Sequence, residues 1–220
     1  MLPPVRDAAD AAPVTGRRKG LAATAMSLGE HGWTMVRDFL EPPAVARLRD
    51  EVAARRLAGR FRAAAVGRAD AVSIRPAVRS DLLSWIEPGE GAAAVSAYLL
   101  AMERLRRVVN RRLYLGLFTL ESQFSIYPVD ACYQRHLDRF RDSDERRLSC
   151  VLYLNDGWKA EDGGQLRLYP PVDRGVEQPI DILPEGGVLV AFLSDRIAHE
   201  VLPTRRERLS IAGWFRRREG

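Results

Sequence analysis

Two kinds of residue that anchor small folds are scarce in this chain. Cysteine occurs twice in 220 residues, at Cys132 and Cys150. That is too few for a disulfide framework, and the pair is too widely spaced for a zinc knuckle. Histidine occurs three times, at His31, His136 and His199. No apolar run reaches the roughly 18 residues that a membrane-spanning helix requires. The opening residues also lack the apolar stretch of a secretory leader. These absences lead us to expect a soluble, cytoplasmic protein. Lysine is nearly missing as well, limited to Lys19 and Lys159, so the net charge of +5 comes from arginine. With alanine also abundant, that bias is what a GC-rich coding sequence gives, and acidic residues are interspersed among the basic ones. Nucleic-acid binding is therefore not expected, although Arg216 to Arg218 form one dense basic cluster. A mildly basic surface would equally steer an acidic protein partner.

What is present divides the chain into unlike parts. Residues 1–20 read as a disordered tail and 21–220 as a single domain, helical over 21–115 and strand-rich over 120–216. A short helix is expected over 21–31 with Gly32 at its end, and a strand over Trp33–Val36. Pro42 and Pro43 open a second helix that runs to Leu57, with Gly59 just beyond. Its Val45, Leu48, Val52 and Arg55 share a face. Residues 60–92 read as irregular, with Pro88-Gly89 as a turn signal, and a long loop of this kind is often functional. From Ala93 to Leu113 the residues Val95, Leu99, Met102, Leu105 and Val109 recur at helical spacing. Past residue 120 the segments Gln123–Tyr127, Leu148–Leu154, Gln165–Tyr169, Val188–Leu193 and Leu209–Phe215 read as strands. In the last of these, Leu209 and Ile211 point one way and Ser210, Ala212 and Trp214 the other. Gly163-Gly164 reads as a hairpin turn. Helices followed by a run of strands make the fold α+β, with helices packed on a β-sandwich or barrel.

Two of the three histidines lie in the strand-rich half. His136 and Asp138 stand at i and i+2, so in extended chain they point to the same side and can meet one ion. His199 follows the apolar segment Val188–Leu193. Two imidazoles and one carboxylate are the donor set of non-haem Fe(II) oxygenases. His-x-Asp alone is a weak signal, equally consistent with a surface turn. Arg208 strengthens it, because a dicarboxylate cosubstrate needs a cation and the guanidinium fork suits a carboxylate. Taken alone, Arg208 reads more simply as a solvated charge in the run Arg205-Arg206-Glu207-Arg208. Other metal patterns fail on spacing: His199-Glu200 is followed by Pro203 and Thr204 rather than by a second histidine, and there is no His-x-His. Cys132 reads as a small apolar residue and His31 as a helix-end residue. Tyr153 and Trp214 read as core aromatics, although Trp214 shares a strand face with Arg208 and so can line a pocket.

At this point the residues resemble a known family. The stretches Phe-Ser-Ile-Tyr-Pro (124–128), Tyr-Gln-Arg-His-Leu-Asp (133–138), Tyr-Leu-Asn-Asp-Gly-Trp (153–158), Gly-Gly-Gln-Leu-Arg-Leu (163–168), Leu-Ser-Asp (193–195), His-Glu-Val-Leu-Pro (199–203) and Arg-Leu-Ser-Ile-Ala-Gly-Trp-Phe (208–215) match, in order and spacing, the 2-oxoglutarate- and iron-dependent prolyl 4-hydroxylases. The likeness is to the oxygen-sensing branch and its bacterial relatives that act on elongation factor Tu, and the segment Arg79–Ile86 extends it. Ser80 stands where this branch often has Gly, and Ala212 where a hydroxyl is common. The resemblance implies a double-stranded β-helix (jelly-roll) core with N-terminal helices packed on one sheet. It implies Fe(II) on His136, Asp138 and His199, and 2-oxoglutarate on Arg208 and Tyr153 with Tyr127 lining its pocket. Tyr133 and Trp214 would flank a substrate proline. Residues 70–86 would form a mobile loop whose Asp81 pairs with Arg146 as substrate binds. The implied reaction uses O2 to form 4-hydroxyproline in a protein substrate, with succinate and CO2 as co-products and L-ascorbate as a helper. Elongation factor Tu is the leading candidate substrate. Three other readings stay open: the same chemistry on a free amino acid or natural product, a non-catalytic binding module on the same fold, and a nucleic-acid oxygenase.

Overall fold

The computed structural model describes residues 6–7, 20–64, 75, 77–90, 92–138, 146–171 and 176–218. Three helices form one layer: α1 (Gly20–His31), α2 (Pro42–Leu57) and α3 (Ala93–Leu113). Gly32, with φ +78, closes α1 at the expected place. The two prolines at the start of α2 occupy positions whose N–H groups have no helical acceptor. Val45, Leu48, Val52 and Arg55 are its buried face, as the spacing predicts. In α3 the buried stripe is Ala94, Val95, Tyr98, Met102, Leu105 and Val109. Tyr98 therefore takes the place expected for Leu99, which is only partly buried. Its hydroxyl reaches the sheet and hydrogen-bonds Ser122 at 3.0 Å. Among the described residues no helix is long and apolar enough to cross a membrane.

Twelve strands are described: β1 (Arg6–Asp7), β2 (Trp33–Val36), β3 (Arg62–Ala63), β4 (Leu82–Trp85), β5 (Leu117–Tyr127), β6 (Tyr133–His136), β7 (Arg146–Tyr153), β8 (Leu166–Tyr169), β9 (Ile180–Ile182), β10 (Leu189–Leu193), β11 (Ala198–Val201) and β12 (Arg208–Arg217). The major sheet has the order β2-β10-β7-β12-β5-β4-β3, and the minor sheet β1-β9-β8-β11-β6. Every described pairing is antiparallel except that of β1 with β9. Strand alternation sorts the side chains of the major sheet between two cores. Leu148, Cys150, Leu152, Leu189, Ala191, Ile211 and Phe215 pack under the helices. Tyr153, Val190 and Phe192 pack between the sheets against Leu166, Leu168, Ile180 and Val201. The result is a helical layer on one face of a two-sheet β-helix, the architecture expected of the fold class.

Three expectations change. Of the stretch 1–20, Arg6–Asp7 form a strand on β9 and Gly20 opens α1, while the remainder lies outside the described residues. Gly163-Gly164 are not a hairpin turn, because they join β7 of one sheet to β8 of the other. Their backbone packs on Pro203 and Thr204, so closely that a side chain at Gly163 would strike the Pro203 carbonyl oxygen at 2.5 Å. Within the segment read as irregular, Leu82–Trp85 pair with Ile126–Gln123 of β5. Four residues with the polar Ser84 as the buried one show no apolar period, and the strand's order comes from a partner about forty residues away in sequence. Of the proposed loop 70–86, the described part is tied down in the same way: Arg79 bridges Tyr133, and the Ser80 N–H donates to the Cys132 carbonyl at 3.2 Å.

Arg55 joins the helical layer to this strand. It is 1% exposed and lies over the Phe124 ring at 4.6 Å. Its guanidinium pairs with Glu51 at 2.8 Å and Glu90 at 2.6 Å, and donates to the Ser84 hydroxyl and the Trp85 carbonyl. Removing one side of such a buried network strands the other charges, which costs about 3–5 kcal/mol. Arg55→Ala should therefore lower the free energy of urea unfolding by about that much. A loss below about 1 kcal/mol would show that the network is not what fastens β4 to α2.

Candidate metal centre

His136 ends β6 and His199 lies in β11, and the two face each other as register partners. Their rings are 4.2 Å apart between centroids. Asp138 follows two residues after His136. His199 follows the apolar segment as expected, and the structure gives it the short strand Ala198–Val201. One ligand atom from each of the three residues can be chosen so that all lie within 4.8 Å of one another. Both imidazoles are turned the same way. Nδ1 of His136 meets the Gln134 carbonyl at 2.7 Å, and Nδ1 of His199 meets the Ile197 carbonyl at 3.3 Å. Nε2 of each ring faces Asp138, at 3.6 Å and 3.7 Å. A backbone carbonyl on Nδ1 holds the proton there and leaves Nε2 as a lone-pair donor.

Electrostatics favour the ligand forms. Burial, with His136 close by, lowers the pKa of His199 to about 4 despite the nearby Asp138 carboxylate, so the ring is neutral at pH 7. Burial pushes the Asp138 pKa up, but His199, His136 and a Ser149 hydrogen bond outweigh it and hold the carboxyl well below its ordinary range. Two imidazole nitrogens and one carboxylate fit a divalent ion such as Fe(II).

The cluster opens into a cavity of about 50 Å³ between the sheets, and Arg208 stands in its wall. Arg208 heads β12 opposite Tyr127, is 1% exposed, and lies between the rings of Tyr127 and Tyr153 at 4.9 Å and 5.1 Å. Its Nε donates to the Gly164 carbonyl at 2.9 Å and an Nη donates to Ser210 at 3.4 Å. Gly164 is required here, since a side chain at its φ of +66 would meet the Arg208 stem at 3.1 Å. Among the described residues no carboxylate lies within ion-pair distance of Arg208. The Tyr153 hydroxyl is buried beside Arg208, and burial pushes its pKa up to about 12 although the charge and hydrogen bond of Arg208 pull it down. A buried cation lacking a counter-ion is costly unless an anion completes the pair. A carboxylate has the charge and acceptor geometry to do so.

The remaining expected residues divide. Tyr133 stacks on His136 at 3.7 Å and lines the cavity, as does Trp214 across from it. Asp81 is buried and held by both oxygens to Arg79, at 2.6 Å and 3.0 Å. Arg146 pairs with Glu121 at 3.3 Å and lies over Trp214 at 4.0 Å. Here Asp81 pairs with Arg79; the pairing with Arg146 that the resemblance implies is one made as substrate binds. Several wall residues escaped the sequence reading. Arg79 covers Tyr133 at 4.7 Å, and Gln123, Ser125, Ser149 and Ser210 supply polar wall. The four polar residues could have been flagged as polar positions on the cavity-facing side of otherwise apolar strands. Arg79 carries no such signal.

Comparison with known proteins agrees with this geometry. A family model described as the 2OG-Fe(II) oxygenase superfamily matches residues 122–216. The chain is 30% identical over 211 residues to Egl nine homolog 1 of Homo sapiens, covering 92% of this chain and 48% of that protein. It spans about half the length of such curated relatives. Among solved structures, a Pseudomonas putida prolyl-4-hydroxylase superposes with a TM-score of 0.80 at 45% identity, covering 90% of this chain and 99% of the other. A Trichoplax adhaerens prolyl hydroxylase in complex with a hypoxia inducible factor oxygen degradation domain peptide fragment gives 0.78 at 26% identity, covering 88% and 87%. A relative matched over nearly its whole length, together with a family model spanning the strands that carry both histidines and Arg208, settles the kinship: the chain belongs to the 2OG-Fe(II) oxygenase superfamily, among its prolyl-hydroxylase relatives.

Proposed function

We propose that this protein hydroxylates a prolyl residue at C4 in a protein substrate, using 2-oxoglutarate and O2 with Fe(II). The observation that carries the proposal is a single cavity with the His136, Asp138 and His199 donors in one part of its wall and the uncompensated Arg208 in another. A dicarboxylate that chelates a metal through one end needs a cation for its other end. In this reading His136, Asp138 and His199 hold the iron, Arg208 and Tyr153 hold the distal carboxylate, and Tyr127 closes the pocket beside them. Fe(II) with 2-oxoglutarate and O2 supplies the oxidising power for hydroxylation, with succinate and CO2 as co-products. The chain's own groups bind, orient and exclude water. Tyr133 and Trp214 offer flat apolar faces to a pyrrolidine ring, and Asp81 and Arg146 act where the polypeptide crosses the cavity mouth.

A peptide-bound relative of the same fold supports a polypeptide substrate over a free amino acid. Elongation factor Tu is the substrate we name first, on the resemblance to bacterial relatives and the basic surface. A cytoplasmic location and L-ascorbate as a helper follow from the same reading.

Three measurements test this. Asp138→Ala should abolish 2-oxoglutarate turnover and metal retention while leaving the melting transition in place; normal activity in that variant would remove the metal assignment. Arg208→Ala leaves one side of a buried ionic contact unpaired, a loss on the order of 2–5 kcal/mol in binding. The KM for 2-oxoglutarate should rise by tens-fold or more, and an unchanged constant would place the anchor elsewhere. Incubation with recombinant elongation factor Tu, Fe(II) and 2-oxoglutarate should add one oxygen to a single proline, seen by mass spectrometry of tryptic peptides. No modification there, alongside good turnover of a free small molecule, would favour the small-molecule reading.

A further inference from the structure

Asp138 lies two residues beyond the end of β6 and outside every described strand. Its side chain is fixed from the other sheet. Ser149, in the middle of β7, donates its hydroxyl proton to Asp138 Oδ2 at 2.7 Å. Ser194, in the turn between β10 and β11, lies 2.8 Å from the Ser149 oxygen. A hydroxyl has one proton to give. With that of Ser149 committed to the carboxylate, the proton between the serines belongs to Ser194. The chain of donation therefore runs Ser194 to Ser149 to Asp138. Both serines are almost completely buried, at 0% and 1% exposure, so water does not compete for these bonds. Ser149 faces Phe192 on one side and Trp214 on the other as strand partner. A polar residue there, flanked along the strand by Leu148, Cys150, Val151 and Leu152, contributes nothing to the apolar core.

We propose that Ser149, oriented by Ser194, is a positioning residue that occupies Oδ2 of Asp138 so that Oδ1 alone is presented to a metal. The inference rests on reading His136, Asp138 and His199 as a metal site. Its physical content is a division of labour on one carboxylate. Oδ2 accepts a short bond from Ser149 at 2.7 Å and lies 3.7 Å from Nε2 of His199, while Oδ1 takes no such bond from Ser149 and faces Nε2 of His136 at 3.6 Å. A carboxylate that ligates with one oxygen leaves a coordination position that a two-oxygen grip would take. A chelating cosubstrate needs that position. Ser194 also sits in the turn that leads to His199, so the relay links the segments bearing two of the three candidate ligands. Partners of metal ligands that act in this way are typically worth about 10–100-fold in metal affinity.

The test compares Ser149→Thr with Ser149→Val, two side chains of the same shape that differ by a hydroxyl against a methyl. Co(II) is the probe, with affinity read by calorimetry and coordination by the visible spectrum, and a thermal melt checks folding. Ser149→Thr should bind Co(II) with nearly the wild-type spectrum. Ser149→Val should bind about 10–100-fold more weakly, with an altered spectrum and the same melt as the threonine variant. Ser194→Ala should weaken binding in the wild-type background and add nothing in the valine background. Equal affinity and equal spectra for threonine and valine would overturn the proposal. If neither Ser149 variant folds, unchanged Co(II) affinity in Ser194→Ala would overturn it. A wild-type chain that binds no Co(II) would instead remove the metal reading itself.

Discussion

Arg208 keeps a full positive charge where water does not reach it. Two tyrosine rings, a carbonyl and a serine hydroxyl surround it, and among the described residues no acidic side chain answers it. A solvated arginine at this place would cost nothing, and a buried one facing a carboxylate of its own chain would be a structural ion pair. A buried one in the wall of a cavity is neither, and its surroundings fit the anion site proposed for it. Gly164 lacks a side chain because the arginine stem passes there. Tyr153 keeps its buried hydroxyl beside Arg208.

The second requirement is that a metal stand in the same cavity. It is met by register more than by local sequence. His136 and His199 are sixty-three residues apart (199 − 136), and the pairing of β6 with β11 sets their rings face to face. Backbone carbonyls then aim each Nε2 inward. The two sheets thus have different tasks. The minor sheet carries both imidazoles, and the major sheet carries the cation. Their separation is fixed by the apolar layer of Tyr153, Val190, Phe192, Leu166 and Leu168, which holds the walls of the cavity apart by packing.

Much of this was legible in the sequence, for identifiable reasons. The helices announce themselves by period, and Pro42, Pro43 and Gly32 mark their ends. The alternation of Leu209, Ser210, Ile211 and Ala212 gives the two faces of β12 correctly. His136, Asp138, His199 and Arg208 stand out because histidine is scarce and because the family motifs surround them. What was not legible is set by contacts distant in the chain. Leu82–Trp85 become a strand only because β5 offers an edge, and β3, β6, β9 and β11 are too short to show a period. Asp81 finds Arg79 two residues away, while Arg146 finds Glu121 and Trp214 across the sheet, pairings that depend on backbone curvature. Leu99 was read as core because it is leucine, yet Tyr98 reaches further and carries a hydroxyl to Ser122.

The central claim is that one cavity holds both ends of a single dicarboxylate, one on the metal ligands and the other on Arg208. Anaerobic calorimetry of 2-oxoglutarate binding, with and without Fe(II), addresses it most directly. The account predicts one equivalent bound, far more tightly with the metal than without, because only then do both ends find partners. Equal affinity in the presence and absence of Fe(II), or no binding in either case, would contradict it.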